Sequence, residues 1–456
     1  MRLAWSRLRR VLRLIAFRPV FAVLLLGGMT LVSNALWFGT GLFLGSVPGL
    51  AITILTAAGL AAALLALAKR QCQLAALGVL IGFAVLVPAV ALIAFRLKTG
   101  IPILMHDGAY QTEEAMRALL TNHDPYGFNY AQTSMQRWHW YVNADLHPYL
   151  WHYVYSPLTF LLPLPLFAAA ATVGLPFDVR LVWLAAAGVA AWAIVRLPWR
   201  WEWRYVAMAV LFLDPLFYLP QGRNDILFLT ALLLGCLAWE RDRPVAAAWS
   251  FGLALAFKQF AVFFLPPAGL ALAALAIRGR LSWRWGTAGV AGLVIPLALT
   301  TVPFLAWNPT AYWTDTVGVV TGAAHPSFPI DGFGLSALMV RLHMLPSRSA
   351  TFPFGLVQAA VVLPLLAWGL PRVWRLPRLD RILQVAAITT AAALVCSRYF
   401  NDNHLAVVIF MLVLASLSRR GAVARSQAAP ELARAAVMIQ RMPSAWRRDV
   451  RTSTGT

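Results

Sequence analysis

Asp107 opens the most chemically capable stretch of this chain, a polar segment between residues 94 and 157 that carries acids, histidines and aromatics in an otherwise apolar sequence. Residues 107–120 read as a short helix lying along a membrane interface. A carboxylate at its start can serve as a general base, because partial burial raises its pKa toward working pH and the helix end fixes its position. The same position also suits an N-cap, whose carboxylate accepts backbone N–H bonds, and spacing does not choose between the two. Glu113 and Glu114 share the helix and are candidate substrate contacts.

Asn122-His123-Asp124-Pro125-Tyr126 has turn chemistry, and Trp138-His139-Trp140-Tyr141 with Tyr149, Trp151, Tyr153 and Tyr155 forms an aromatic cluster. Such faces stack on sugar rings, which makes Tyr126, His139 and Tyr155 candidate binding residues, yet aromatics also build ordinary interfacial belts. His106, His139, His147 and His152 lack the close, regular spacing of a metal box. Neither a metal nor a cofactor is expected.

Gln221-Gly222-Arg223-Asn224-Asp225 separates two apolar runs with no linker. Ionisable groups so placed line a polar cavity or form a solvated hairpin with an internal Arg223–Asp225 pair. Lys258, one of three lysines, interrupts another apolar run. It can meet a phosphate or carboxylate as a point charge, or snorkel to lipid head groups. Arg398, Asp402 and His404 crowd a further short turn and are candidates for a second phosphate contact.

The elements that must position these residues are membrane helices. Hydrophobic residues make up 60% of the 456 and charged ones only 12%, outside the range of soluble globular chains. The net charge of +21 comes from arginines at the ends of apolar runs, which suits anionic lipids and the positive-inside bias, so nucleic acid is not an expected partner. Cys72, Cys236 and Cys396 are too scattered for a disulfide framework or zinc site.

The apolar runs fall at roughly 19–38, 49–68, 74–95, 156–173, 180–196, 205–220, 226–239, 244–258, 260–277, 286–305, 352–370, 382–397 and 403–418. Lys69 with Arg70, Arg241 with Arg243, the 278–284 and 372–381 arginines and both basic ends should be cytoplasmic. Two cytoplasmic ends require an even number of crossings. The proline-rich run 156–173 is therefore expected to be re-entrant, leaving about twelve spans. Nine of the seventeen acids, including Asp315 and Asp331, then fall on the outer side.

The expected fold is all-α, a polytopic transmembrane bundle in the plasma membrane with interfacial helices in a large outer loop. It divides into a basic N-terminus (1–18), three spans (19–95), an outer loop (96–155), a membrane core (156–305), a second outer loop (306–351), the last spans (352–418) and a basic tail (419–456).

The acid after an early helix, the HDPY turn, the YVYSPL re-entry, QGRND between helices and GLALAFKQFAVFFLPP together resemble the glycosyltransferase-C superfamily over about residues 75–415. The subgroup they are most similar to is the bacterial alpha-mannosyltransferase-like, polyprenyl-phosphate-sugar-dependent enzymes. The resemblance implies inverting transfer of a sugar to a lipid or glycan acceptor, with Asp107 as base and Lys258 and Arg223 balancing the phosphate. Many superfamily members carry two acids separated by one residue here. This chain has His106-Asp107-Gly108-Ala109, a single acid, which suits metal-independent transfer from a lipid phosphate. A transporter or lipid-linked-sugar flippase is the alternative class, although clear inverted repeats are not visible.

Overall fold

The computed structural model describes residues 72–102, 105–137, 147–212, 219–401 and 403–419, with isolated helical residues between 54 and 65. The two runs before residue 69 and the basic tail thus lie largely outside the described residues.

Helices dominate, in keeping with the all-α class. Among the described residues four are long and apolar enough to cross a membrane: Ala75–Thr99, Gln259–Ile277, Trp283–Trp307 and Phe354–Arg375. Several other apolar runs form shorter helices, among them Arg180–Arg196, Asp225–Glu240, Pro244–Phe257 and Leu379–Val395. Prolines account for the break in run 156–173, which forms Leu158–Leu161 and Leu164–Thr172 on either side of Pro163. Neither piece can cross alone, because spanning takes about 20 residues at 1.5 Å each.

Small residues set the helix packing. A Cβ on Gly252 would stand 2.1 Å from the Gly292 carbonyl oxygen, so Pro244–Phe257 and Trp283–Trp307 meet nearly backbone to backbone. Gly235 admits the Phe251 ring in the hairpin of Asp225–Glu240 with Pro244–Phe257, and Gly369 admits Val385 between the next pair. In contrast, Trp283–Trp307 and Phe354–Arg375 leave most of their apolar surface uncovered, Leu299 and Leu356 being over 70% exposed. Lipid is the solvent that suits such a face.

The expected helix at 107–120 is present as Asp107–Leu120, but its setting differs from a surface-lying one. Every residue from Gly108 to Met116 is buried within the protein. Two buried networks hold it and its loop. Arg96, near the end of the preceding helix, grips Glu113 through two hydrogen bonds of 2.7 and 2.5 Å, and reaches Asp178 at 3.1 Å. Asp178 in turn accepts from Arg180 at 2.7 and 3.0 Å. Asp315 is 1% exposed and ties three segments together. It accepts the backbone N–H of Gly127 and of Tyr153, and meets His152 Nδ1 at 2.7 Å. Buried charges persist only when paired in this way.

The segment before Phe354–Arg375 is stitched to the turn after Leu379–Val395. Asp331–Gly332 and Tyr399–Phe400 form a two-residue parallel bridge, and the Arg398 guanidinium donates to the carbonyls of Phe328, Ala350 and Arg348.

Candidate active site

A cavity of about 1430 Å³ opens among these segments. It gathers most of the residues singled out in the sequence: Asp107, Tyr155, Gln221, Arg223, Asn224, Asp225, Lys258, Arg398 and His404. Phe257, Phe260 and Phe263, beside Lys258, and Phe352, Phe354 and Leu394 give it an apolar side. His139 and Asp402 lie outside the described residues.

Three expected binding residues do not reach the cavity. Glu113 is engaged by Arg96 and by the backbone N–H of Val179. Glu114 accepts from Arg117 and from Ser134, each at 2.5 Å. Both carboxylates face the inner side of the helix, where charge pairing rather than a ligand satisfies them. Tyr126 is buried edge-on to Tyr153 and Tyr312, and its hydroxyl donates to the Tyr155 carbonyl at 2.8 Å. It supports Tyr155 from behind.

Asp107 is the first residue of its helix, and His106 takes the N-cap. The Gly108 N–H donates to Asp107 Oδ1 at 2.6 Å, and His106 Nδ1 stands 2.9 Å from the same oxygen. That leaves Oδ2 facing His147 Nε2 across 4.0 Å. The expectation that burial would lift the Asp107 pKa needs correction. Burial alone pushes it up, but the His106 and His147 imidazoles and the Gly108 N–H outweigh that effect and hold the carboxyl below its ordinary value. His147 moves down as well, because burial outweighs the attraction of Asp107. At neutral pH this pairs an ionised carboxylate with a neutral imidazole.

The residues after Asp107 are small for steric reasons. A Cβ on Gly108 would lie 2.1 Å from the Tyr155 hydroxyl. Ala109 is 1% exposed and backs onto Gly222, where an added Cβ would come within 3.0 Å of it. A second carboxylate at 109, as in the paired-acid pattern, has no space. Gly222 itself sits at φ +90, a left-handed conformation that favours glycine.

The 221–225 turn is docked on the start of the Asp107 helix. The His106 N–H donates to the Gln221 carbonyl at 2.7 Å, Arg180 donates to that of Pro220, and the Trp183 indole to that of Gly222. It is not a free hairpin. Asp225, 1% exposed, meets Lys258 Nζ at 3.2 Å and accepts from Asn403 Nδ2 at 3.2 Å. Lys258 is extended at the end of Pro244–Phe257, where the chain leaves the α-helix for the 3-10 turn Gln259–Phe264. Its ammonium stands 5.3 Å above the Tyr155 ring and points inward, so it does not snorkel to the membrane surface.

Tyr155 therefore joins the two charged sides of the cavity, with Lys258 over its ring and its hydroxyl against Gly108, beside Asp107. Tyr149 stacks on Tyr155, and His147 stacks on Tyr149. Arg398 also lines the cavity, but its three bonds to carbonyls make it foremost a clamp on the rim.

Sequence reasoning did not assign roles to His106, His147 or Asn403. His106 was detectable as the neighbour of Asp107. His147 and Asn403 reach their carboxylates across 40 and 178 positions, and no local pattern marks such contacts.

The profile of glycosyltransferase family 87 matches residues 153–398, more than half of the chain. That range contains Tyr155, the 221–225 turn, Lys258 and Arg398, and begins after Asp107. No curated protein matches the chain.

Proposed function

The chain belongs to glycosyltransferase family 87, and we propose that it transfers a hexose, mannose-like, from a polyprenyl-phosphate donor to a lipid or glycan acceptor. The reading places a glycosyltransferase-C-like bundle of about twelve spans in the plasma membrane, with both termini cytoplasmic and the reaction at the outer face. One observation carries it: a carboxylate with an available oxygen and an inward-pointing ammonium line one cavity and are joined by a tyrosine.

That arrangement suits an inverting displacement. The acceptor hydroxyl attacks the anomeric carbon from the face opposite the phosphate, and its proton passes to Asp107 Oδ2 as the new C–O bond forms. The bond between the anomeric carbon and the phosphate oxygen breaks with its electron pair on oxygen. Lys258, with Arg223 also lining the cavity, offsets the charge that develops there. Tyr155 offers a ring face to the sugar. The single acid, with no room for another at 109, favours a monophosphate donor handled without a metal, and the phenylalanines beside Lys258 suit a lipid tail.

The test is transfer in vitro by the purified chain in lipid nanodiscs, with polyprenyl-phosphate mannose as donor and membrane lipid extract as acceptor. Products are read by mass spectrometry. A mannosylated lipid or glycan formed from that donor supports the reading. Activity with nucleotide sugars alone would overturn it.

A further inference from the structure

Three helices meet at one carboxylate. Asp225, the first residue of Asp225–Glu240, is 1% exposed and gives each of its oxygens to a different neighbour. Oδ1 stands 3.2 Å from Nζ of Lys258, at the end of Pro244–Phe257. Oδ2 accepts at 3.2 Å from Nδ2 of Asn403, the start of the apolar helix Asn403–Arg419. The backbone that carries the lysine is anchored as well. Gln259 donates from its side chain to the Thr316 carbonyl at 3.2 Å, and Phe260 packs edge-on to His404 at 5.9 Å. What can still move is the four-carbon stem of Lys258. Among the described residues, Asp225 and the Tyr155 ring are what hold its ammonium.

From this geometry we infer that Asp225 is a positioning residue for the donor, acting through Lys258, and that Asn403 sets the plane of its carboxylate. The inference rests on the transferase reading above. A lysine has a flexible stem, and an ammonium left without a counter-ion in an apolar wall gives up its proton or swings out to lipid head groups. Aspartate is short, and here it is rooted at a helix start, so it is stiff where the lysine is not. It claims one of the three N–H donors of the ammonium and leaves the others for phosphate oxygens. The other charged or titratable groups that act on Asp225 are Arg223 and His404, which line the same cavity.

A carboxylate in a first helical turn is also favoured by the dipole of its own helix, so lost stability does not speak for this role, whereas coupling to Lys258 does. The experiment is a double-mutant cycle in nanodiscs, with polyprenyl-phosphate mannose as the varied donor, for the wild type, Asp225→Asn, Lys258→Gln and the double variant. Asp225→Asn should lower donor kcat/KM on the order of 10-fold and leave acceptor KM unchanged. In the Lys258→Gln background the same substitution should cost nothing further. Because removing a counter-ion can impair folding itself, Asn403→Ala carries the test a second time with the ion pair left in place. It should lose a few-fold in donor kcat/KM, and that loss too should vanish in Lys258→Gln. Losses that multiply in either double variant overturn the inference alone, as do wild-type donor kinetics in folded Asp225→Asn. Absence of transfer by the wild type overturns the functional reading and this inference with it.

Discussion

Lys258 Nζ stands 3.2 Å from the buried carboxylate of Asp225 and over the ring of Tyr155, facing the cavity. An ammonium so placed can meet a phosphate without leaving its own counter-ion. Lys258→Gln should therefore impair donor kinetics by roughly 10-fold or more and leave acceptor KM little changed, as loss of a charge-assisted bond of about 1.5–3 kcal/mol implies. Lys258→Arg should recover only part, since a planar fork does not reproduce a compact ammonium. Steady-state kinetics with varied donor decide the matter, and near-normal values for both variants would remove Lys258 from the phosphate site.

Glu113 serves the fold. Glu113→Gln removes one partner of a fully buried ion pair, a change that typically costs about 3–5 kcal/mol. The variant should melt at a lower temperature, and the protein that remains folded should keep wild-type donor and acceptor KM. An unchanged melting temperature together with a raised KM would return Glu113 to the substrate site.

The contrast between Lys258 and Glu113 shows what the sequence carries. Apolar periodicity and length gave the helices, and the Asp107–Leu120 helix appears with the boundaries read for it. The polar interruptions at 221–225 and 258 do converge on one cavity, because a charge inside an apolar run must find a polar partner. Side-chain direction was not legible. Asp107 and Glu113 share a helix, yet one faces the cavity and the other faces Arg96, and that choice depends on how the helix packs against the one before it. The direction of the Asp107 pKa depends first on how the adjacent His106 imidazole is turned to offset burial, and then on His147, which tertiary packing brings to it.

Gly108 is required by Tyr155. Gly108→Ala places a methyl group where the Tyr155 hydroxyl lies, and overpacking of this kind typically costs about 1–3 kcal/mol. Because Tyr155 carries the Lys258 contact, the variant should lose transfer activity by more than its modest loss of thermal stability explains. Wild-type kcat in Gly108→Ala would show that the Tyr155 ring position does not matter to transfer.

Orientation has an independent check. Ala323 borders the cavity and is exposed, whereas Ser282 is exposed in the arginine-rich turn before Trp283–Trp307. A cysteine at 323 should react with an impermeant thiol reagent added to intact cells, and one at 282 should react only after permeabilisation. Labelling of Ser282→Cys in intact cells would reverse the proposed topology.

The most direct measurement is transfer by Asp107→Asn. The substitution keeps the shape of the side chain and its bond from the Gly108 N–H while abolishing its capacity to take a proton. Membrane insertion and yield should match the wild type. Transfer from polyprenyl-phosphate mannose should fall by about 10²–10⁴-fold, the usual consequence of losing a general base. Near wild-type transfer by correctly inserted Asp107→Asn would contradict the account, because no other carboxylate placed at this cavity shares its position beside His147 and Tyr155 among the described residues.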